Sequence, residues 1–276
     1  MDDLTILEIV NLLTVGMSSY NIKEHIPSDI PSHNQFIPPQ NLQSQDWLDK
    51  IDKWTENQKM MINTKKTKAM IFNFTDNHQF ATRLKLKDEN VEVIEHTKLL
   101  GTIISNDLKW DMNTKSLVKK ANARMQLLRK VASFGAPVED LKDIYILFVR
   151  SILEQSATVW QSSITMENKT DLERVRKAAV KIILNEKFTS YTQGLARLGI
   201  DTLESRRDTL CLNFAKKCEK NSKLSHMFPK NDNIHKMETR KKEKYVVPFA
   251  NTGRLKKSPL IYMQRLLNED EKNLNK

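Results

Sequence analysis

The sequence predicts an α+β chain, with short strands early and helices dominating afterwards. Three observations predict it. Apolar residues recur at helical spacing through most of 111–220. Before that stretch the apolar runs are short, rich in Ile, Leu, Val and Thr, and partly alternating. The 276 residues also hold only 6 glycines, too few for a turn-dense β-sandwich. With 39% hydrophobic and 29% charged residues, the composition is that of a folded chain rather than a disordered one.

The early part, 1–110, is expected to be a partial α+β region. Residues 4–15 are apolar and fit a buried strand running into a short helix, two forms that periodicity does not separate. The stretch 18–45 is polar, with Pro27, Pro31, Pro38 and Pro39, and is expected to be a long surface loop. Leu48, Ile51 and Trp54 then recur at helical spacing, with Asp46 as N-cap and Trp54 as a core anchor. A turn, NTKKTK, leads to the β-type run AMIFNF. TRLKLKDENVEVIE alternates around Asp88-Glu89-Asn90 and reads as a hairpin. In TKLLGTIIS, a further strand, Gly101 permits a bend or a close backbone approach.

From 111 to 220 the pattern is helical. Leu117, Ala121, Met125 and Leu128 form one apolar stripe, leaving Lys119, Lys120, Arg124 and Arg129 to face outward. The GAP tripeptide at 135–137 ends that helix. The next, 140–161, places Leu141, Ile144, Tyr145, Phe148 and Ile152 on one face. A helix over 171–185 carries Leu172, Val175, Ala179, Ile182 and Ile183, and one more follows within 198–218. Beyond Lys220 the periodicity fades, so 221–276 is expected to be basic and weakly structured.

The net charge of +11 is unevenly spread. The stretch 115–130, KSLVKKANARMQLLRK, contains no acid. Between Arg206 and Leu260, 15 Lys and Arg stand against 5 Asp and Glu. Two readings fit: solvated faces with a tail, or a surface for nucleic-acid phosphates, where each cation releases condensed counterions. The 2 cysteines, Cys211 and Cys218, are too few for a disulfide framework and suit a reducing compartment. An intracellular place, nuclear or cytoplasmic, is expected. On a helix these two stand roughly 10 Å apart, too far to share a tetrahedral zinc with His226 and His235. No stretch reaches the roughly 20 apolar residues of a membrane span. His78 and His96 have no acidic or serine partner in a recognised arrangement.

Four stretches, in order, resemble the reverse transcriptases of non-LTR (LINE-like) retrotransposons. MDDLTIL is similar to the family's catalytic turn of two aspartates and the strand after it. Trp54, Asn57, Asn63, Lys66, Thr67 and Lys68 resemble its helix–turn–strand motif W…N…N-x-x-K-T-K. HTKLLGTIISNDLKW is similar to the strand pair that grips the primer. KKANARMQLLRK, LFVRSILEQSATVWQSSIT and LERVRKAAVKII resemble the thumb, and TGRLKKSPLIYMQRLLN is similar to the family's C-terminal end. The resemblance covers most of the chain, and the order of the motifs is more specific than any one of them.

What the resemblance implies is a truncated polymerase palm in 1–110, a thumb-like helical domain in 111–220 and a basic C-terminal region. In the intact family two Mg2+ ions polarise the attacking and leaving oxygens during nucleotide transfer. Asp2 and Asp3 match one half of that metal site. The chain begins at the turn, so the upstream aspartate strand and nucleotide pocket have no counterpart. The expectation is a remnant of an RNA-directed DNA polymerase, inactive alone, with no cofactor and no small-molecule substrate. Lys66 matches a position implied to assist the leaving group; without the rest of the site, a surface lysine in a turn capped by Asn63 is the favoured reading. Lys119, Lys120, Arg124, Arg129, Lys241 and Lys242 are the expected contacts to an RNA or DNA duplex, bound without sequence preference. A helical protein-interaction module is the alternative.

Residues 97–134 also resemble the short N-terminal segment of the AlkB-homologue tRNA-modifying enzyme. The oxygenase activity this implies needs two histidines and a carboxylate on iron. No histidine here is followed two residues later by Asp or Glu. Nor does a strand–Gly-rich-loop–helix for a methyl-donor cofactor occur.

Overall fold

The computed structural model describes residues 43–72, 84–231 and 243–274, and these are mostly helical with a few short strands. The α+β expectation holds at that level. The chain divides into two compact units, Met1–Thr97 with Ser105–Leu108, and Lys98–Ile104 with Lys109–Lys276. The described residues beyond Lys220 are grouped with the second unit.

In the first unit, helix α1 (Gln43–Asn57) begins before Asp46, so Asp46 lies inside its first turn rather than at its cap. There its carboxylate meets the positive end of the helix dipole. Leu48 and Thr55 are the buried positions, and Leu48 packs with Leu86 and Val91. Trp54 is not a core anchor: it is 54% exposed. The inward face follows Leu48 and Thr55, seven residues apart, and Trp54 lies about 100° round from Thr55.

Strand β1 (Lys68–Ala69) pairs in parallel with β4 (Glu92–Val93), Lys68 opposite Glu92, with an ion pair between those two side chains. Between them, β2 (Lys85–Leu86) and β3 (Glu89–Asn90) form the expected hairpin. Its turn is Lys87–Asp88, both at positive φ, so Glu89 and Asn90 belong to the returning strand. The Gln45 side chain ties α1 to this hairpin, accepting from Lys85 N and donating to Lys85 O, each at 2.9 Å.

TKLLGTIIS is a strand pair rather than one strand: β5 (His96–Leu99) and β6 (Thr102–Ser105), joined at Leu100–Gly101. Residues 98–104 of it belong to the second unit.

The second unit is built on helix α2 (Asp111–Ser133), whose Leu117, Ala121, Met125 and Leu128 are all buried as their spacing predicts. Each of the Leu and Met side chains contributes about 1.5–3 kcal/mol by leaving water. Helix α3 (Val138–Ile144) runs into a π-helical turn, Tyr145–Arg150, and then α4 (Ser151–Leu153). The wider turn changes which residues face inward. Leu141, Tyr145, Val149 and Leu153, spaced by four, are buried, whereas Phe148 is exposed. Ser156, at φ 53, separates α4 from α5 (Ala157–Trp160).

Helix α6 (Met166–Leu184) starts five residues before its expected position because Thr165 caps it, accepting from Asn168 N at 3.2 Å. Leu172, Val175, Ala179, Val180 and Ile183 complete the main core with α2. Helix α7 (Tyr191–Leu198), unforeseen in the sequence, is capped by Ser190 and closed by Gly199 in the left-handed conformation. Helix α8 (Leu203–Lys220) begins at the Thr202 cap.

Past Lys220 the structure departs from the expected weak order. Helices α9 (Gly253–Lys256) and α10 (Pro259–Leu274) are present. A second core joins Cys211, Ala215 and Cys218 of α8 to Phe228, Tyr245, Met263 and Leu267. The cysteines are buried packing residues, and burial pushes the Cys211 thiol up to about 12.

Candidate nucleic-acid interface

Helix α2 is 23 residues long and carries no acid after Asp111. At about 100° per residue, one sector about 100° wide takes in Lys115, Lys119, Asn122, Gln126, Arg129, Lys130 and Ser133 and forms a ridge along the helix. All seven are exposed. From Lys115 to Lys130 this ridge spans roughly 22 Å, the rise of six or seven nucleotides at about 3.4 Å per step. None of its four cations makes an ion pair among the described residues, so their charge stays available.

The four α2 cations expected from the sequence do not form one row. Lys119 and Arg129 belong to the ridge. Lys120 and Arg124 lie about 100° and 140° round from Lys119, and Lys120 is half-buried on that flank. Lys115 and Lys130 replace them, and the helical-wheel position of each was readable from the spacing.

The first turn of α2 also holds the β5–β6 hairpin. Asn113 Oδ1 accepts from Ile103 N at 3.1 Å, and Thr102 Oγ1 donates to Ser156 Oγ at 2.8 Å. Gly101, at φ 89, lies against Gln155 so closely that an added Cβ would fall on the Gln155 amide. The close approach anticipated at Gly101 is therefore present. At the tip, Leu100 sits at φ 46 and is 92% exposed. A turn with two positive φ values suits Asn-Gly, and leucine there costs roughly 1–2 kcal/mol. A bulky apolar side chain is thus held outward, against its own backbone preference, on the frame that carries the basic ridge.

Among the described residues of the basic stretch 206–260, one arginine is buried and four further cations are held in ion pairs. Arg207 is 1% exposed; its Nε donates to Gln161 Oε1 at 2.6 Å and its guanidinium lies over the Trp160 ring. Burial pushes that guanidinium below its ordinary pKa, while Glu173 and Asp208 oppose the shift. Gln161 Nε2 and Tyr262 OH both donate to Asp208 Oδ1, at 2.9 and 2.6 Å, which joins α5, α8 and α10. Arg206 pairs with Glu154, Lys216 with Asp270, Lys230 with Glu219, and Lys244 with Glu271. Arg176 on α6 is equally buried, 4.0 Å from Glu173. Neither buried arginine was separable in the sequence from its surface neighbours.

Lys66 is exposed in the turn after α1, where its backbone N donates to Asn63 Oδ1 at 3.1 Å. Asp2, Asp3, Lys241 and Lys242 lie outside the described residues. Among the described residues no group of three or more His, Cys, Asp or Glu side chains gathers to hold a metal ion. No described helix is long and apolar enough to cross a membrane. In comparisons with known proteins, no family model, no curated protein and no solved structure matches this chain.

Proposed function

We propose that residues 98–274 are a thumb-like module related to the reverse transcriptases of non-LTR retrotransposons, and that the module binds an RNA–DNA or DNA duplex without sequence preference. The observation that supports this reading is the acid-free exposed face of α2 that carries Lys115, Lys119, Arg129 and Lys130. Point charges along one helix face contact phosphates without reading bases. The exposed apolar tip at Leu100 is a candidate further contact, against sugars or base edges, where it needs no hydrogen-bond partner. Nucleotide addition is not assigned to this chain, nor are oxygenase or methyltransferase activities. In this reading Asp2 and Asp3 correspond to one half of the family's magnesium site, and Lys66 is a turn residue.

A gel-shift titration of a mixed-sequence duplex at low and high salt tests the proposal. Binding at low salt that weakens steeply with added salt supports it, and no binding at low salt sinks it. Primer extension with Mg2+, lost on changing Asp2 and Asp3 to Ala, overturns the inactive assignment. A second reading, a protein-interaction module, draws on Leu147 and Phe148, exposed neighbours on the π-helical turn. It requires duplex binding no stronger than that of a charge-matched control protein.

A further inference from the structure

The loop between Tyr245 and α9 presents one aromatic ring to solvent. Phe249 is 85% exposed, although Tyr245 before it and Ala250 after it are buried. The ring's mount is fixed on both sides. Tyr245 N donates to Asn268 Oδ1 at 2.9 Å, Asn268 Nδ2 returns a bond to Tyr245 O at 3.0 Å, and Val246 N donates to Pro229 O at 2.9 Å. On the far side Thr252 caps α9, accepting from Leu255 N at 3.2 Å, and Ser163 Oγ holds Lys257 O at 2.8 Å. Pro248, directly before the ring, fixes one more backbone angle. A ring so mounted loses little freedom on binding.

Its own sequence carries one sign of charge, while Glu219, Glu271 and Asp270 from other segments act on Tyr245 at its start. From Lys244 to Asn268 the chain has no Asp or Glu. Lys256 and Lys257 are exposed and make no ion pair among the described residues, unlike Lys216, Lys230 and Lys244 earlier in the same basic stretch.

We propose that this loop and α9 form a second contact, specific for single-stranded nucleic acid: one base stacks on Phe249 while adjacent phosphates rest on Lys256 and Lys257. This rests on the duplex-binding reading for its partner class and adds a site for an unpaired strand. An aromatic face with a neighbouring cation pair is the unit by which single strands are held without sequence preference. An anionic lipid surface shares the charge. However, stable membrane attachment takes more apolar insertion than one ring supplies.

The test is fluorescence anisotropy of the full chain with a labelled single strand of about 12 nucleotides and, separately, with a duplex. Phe249→Leu keeps an apolar side chain but removes the ring; Phe249→Trp keeps stacking and adds a reporter. The expected result is a roughly tenfold weaker single-strand affinity for F249L, unchanged duplex affinity, and quenching of the added tryptophan in F249W on binding. Lys256→Glu with Lys257→Glu lowers single-strand affinity as well. Equal single-strand affinity for wild type and F249L overturns the proposal. So does binding to phosphatidylserine vesicles that depends on Lys256 and Lys257 while the single strand ignores them. If instead the duplex fails to bind but the ring-dependent single-strand affinity persists, the duplex reading falls and this one stands.

Discussion

Asn113 Oδ1 accepts the Ile103 N–H at 3.1 Å, and that bond joins the second strand of the hairpin to the first turn of α2, the longest of the described helices. Asn113 is itself buried, so its loss leaves the Ile103 N–H without its side-chain acceptor. Asn113→Ala is expected to cost about 1–3 kcal/mol, read as a lower urea midpoint. Equal midpoints for wild type and N113A would show that the hairpin is held by other means.

Leu100 predicts a trade between stability and binding. Leu100→Asn relieves the left-handed strain and is expected to gain about 0.5–1 kcal/mol. Because the exposed side chain is lost from the proposed interface, duplex affinity falls several-fold at the same time. Thermal melting and anisotropy on one sample decide it; a variant that is stabilised and binds as wild type removes Leu100 from the interface.

The Arg207–Gln161 bond predicts strong coupling. Arg207→Met leaves Gln161 Oε1 without its donor in a buried place, at about 1–3 kcal/mol. Gln161→Ala removes the same bond and also one donor to Asp208. Their double variant is expected to lose clearly less than the sum of the two, as groups in one network do. Strict additivity in a denaturation cycle would contradict the network.

Much of this was legible in the sequence, and the failures have physical causes. The α2 core stripe follows from ordinary 3.6-residue spacing, and all four of its residues are buried. The same spacing selected Phe148 where the π-helical turn buries Val149, because sequence periodicity assumes one helix geometry. Helix α7 carried a capping signature, Ser190 with Gln193 three residues on. Helix α10 was missed because its buried face mixes Gln264 and Asn268 with Ile261 and Leu267, so the apolar stripe is broken. Asn268 is inside because it bonds both backbone groups of Tyr245. The basic ridge was half legible: Lys119 and Arg129 were identified, while Lys120 and Arg124 proved to lie on the flank. Arg207 defeats composition altogether, since its charge counts toward a basic surface it never reaches.

Alkaline pH is expected to unfold the chain by linkage. Burial raises the Cys211 thiol from 9.0 to about 12, and raises the phenols of Tyr145, Tyr191, Tyr245 and Tyr262. Hydrogen bonding to Glu173, Glu219 and Asp208 adds to the rise at Tyr191, Tyr245 and Tyr262 respectively. These groups bind protons more tightly when folded. Their stabilisation is therefore complete below their unfolded pKa values and is lost as pH rises above them. Phenolate absorbance from these four tyrosines should appear together with loss of helical circular dichroism. Ionisation of all four near their ordinary pKa of about 10, with the helices intact, would contradict their burial.

The ridge on α2 is the most direct test of the duplex reading, because its contribution is read in a slope rather than in affinity alone. Lys115→Gln, Lys119→Gln and Lys130→Gln together remove three exposed charges without touching the core. If each meets a phosphate, the slope of log K against log salt becomes shallower by roughly 0.9 per contact, about 2.7 in all. Lys120→Gln with Arg124→Gln, on the flank, changes it much less. The measurement is a duplex anisotropy titration across a salt series for wild type and both variants. The account predicts a steep wild-type slope that the ridge variant flattens and the flank variant largely keeps; equal slopes for all three proteins would contradict it.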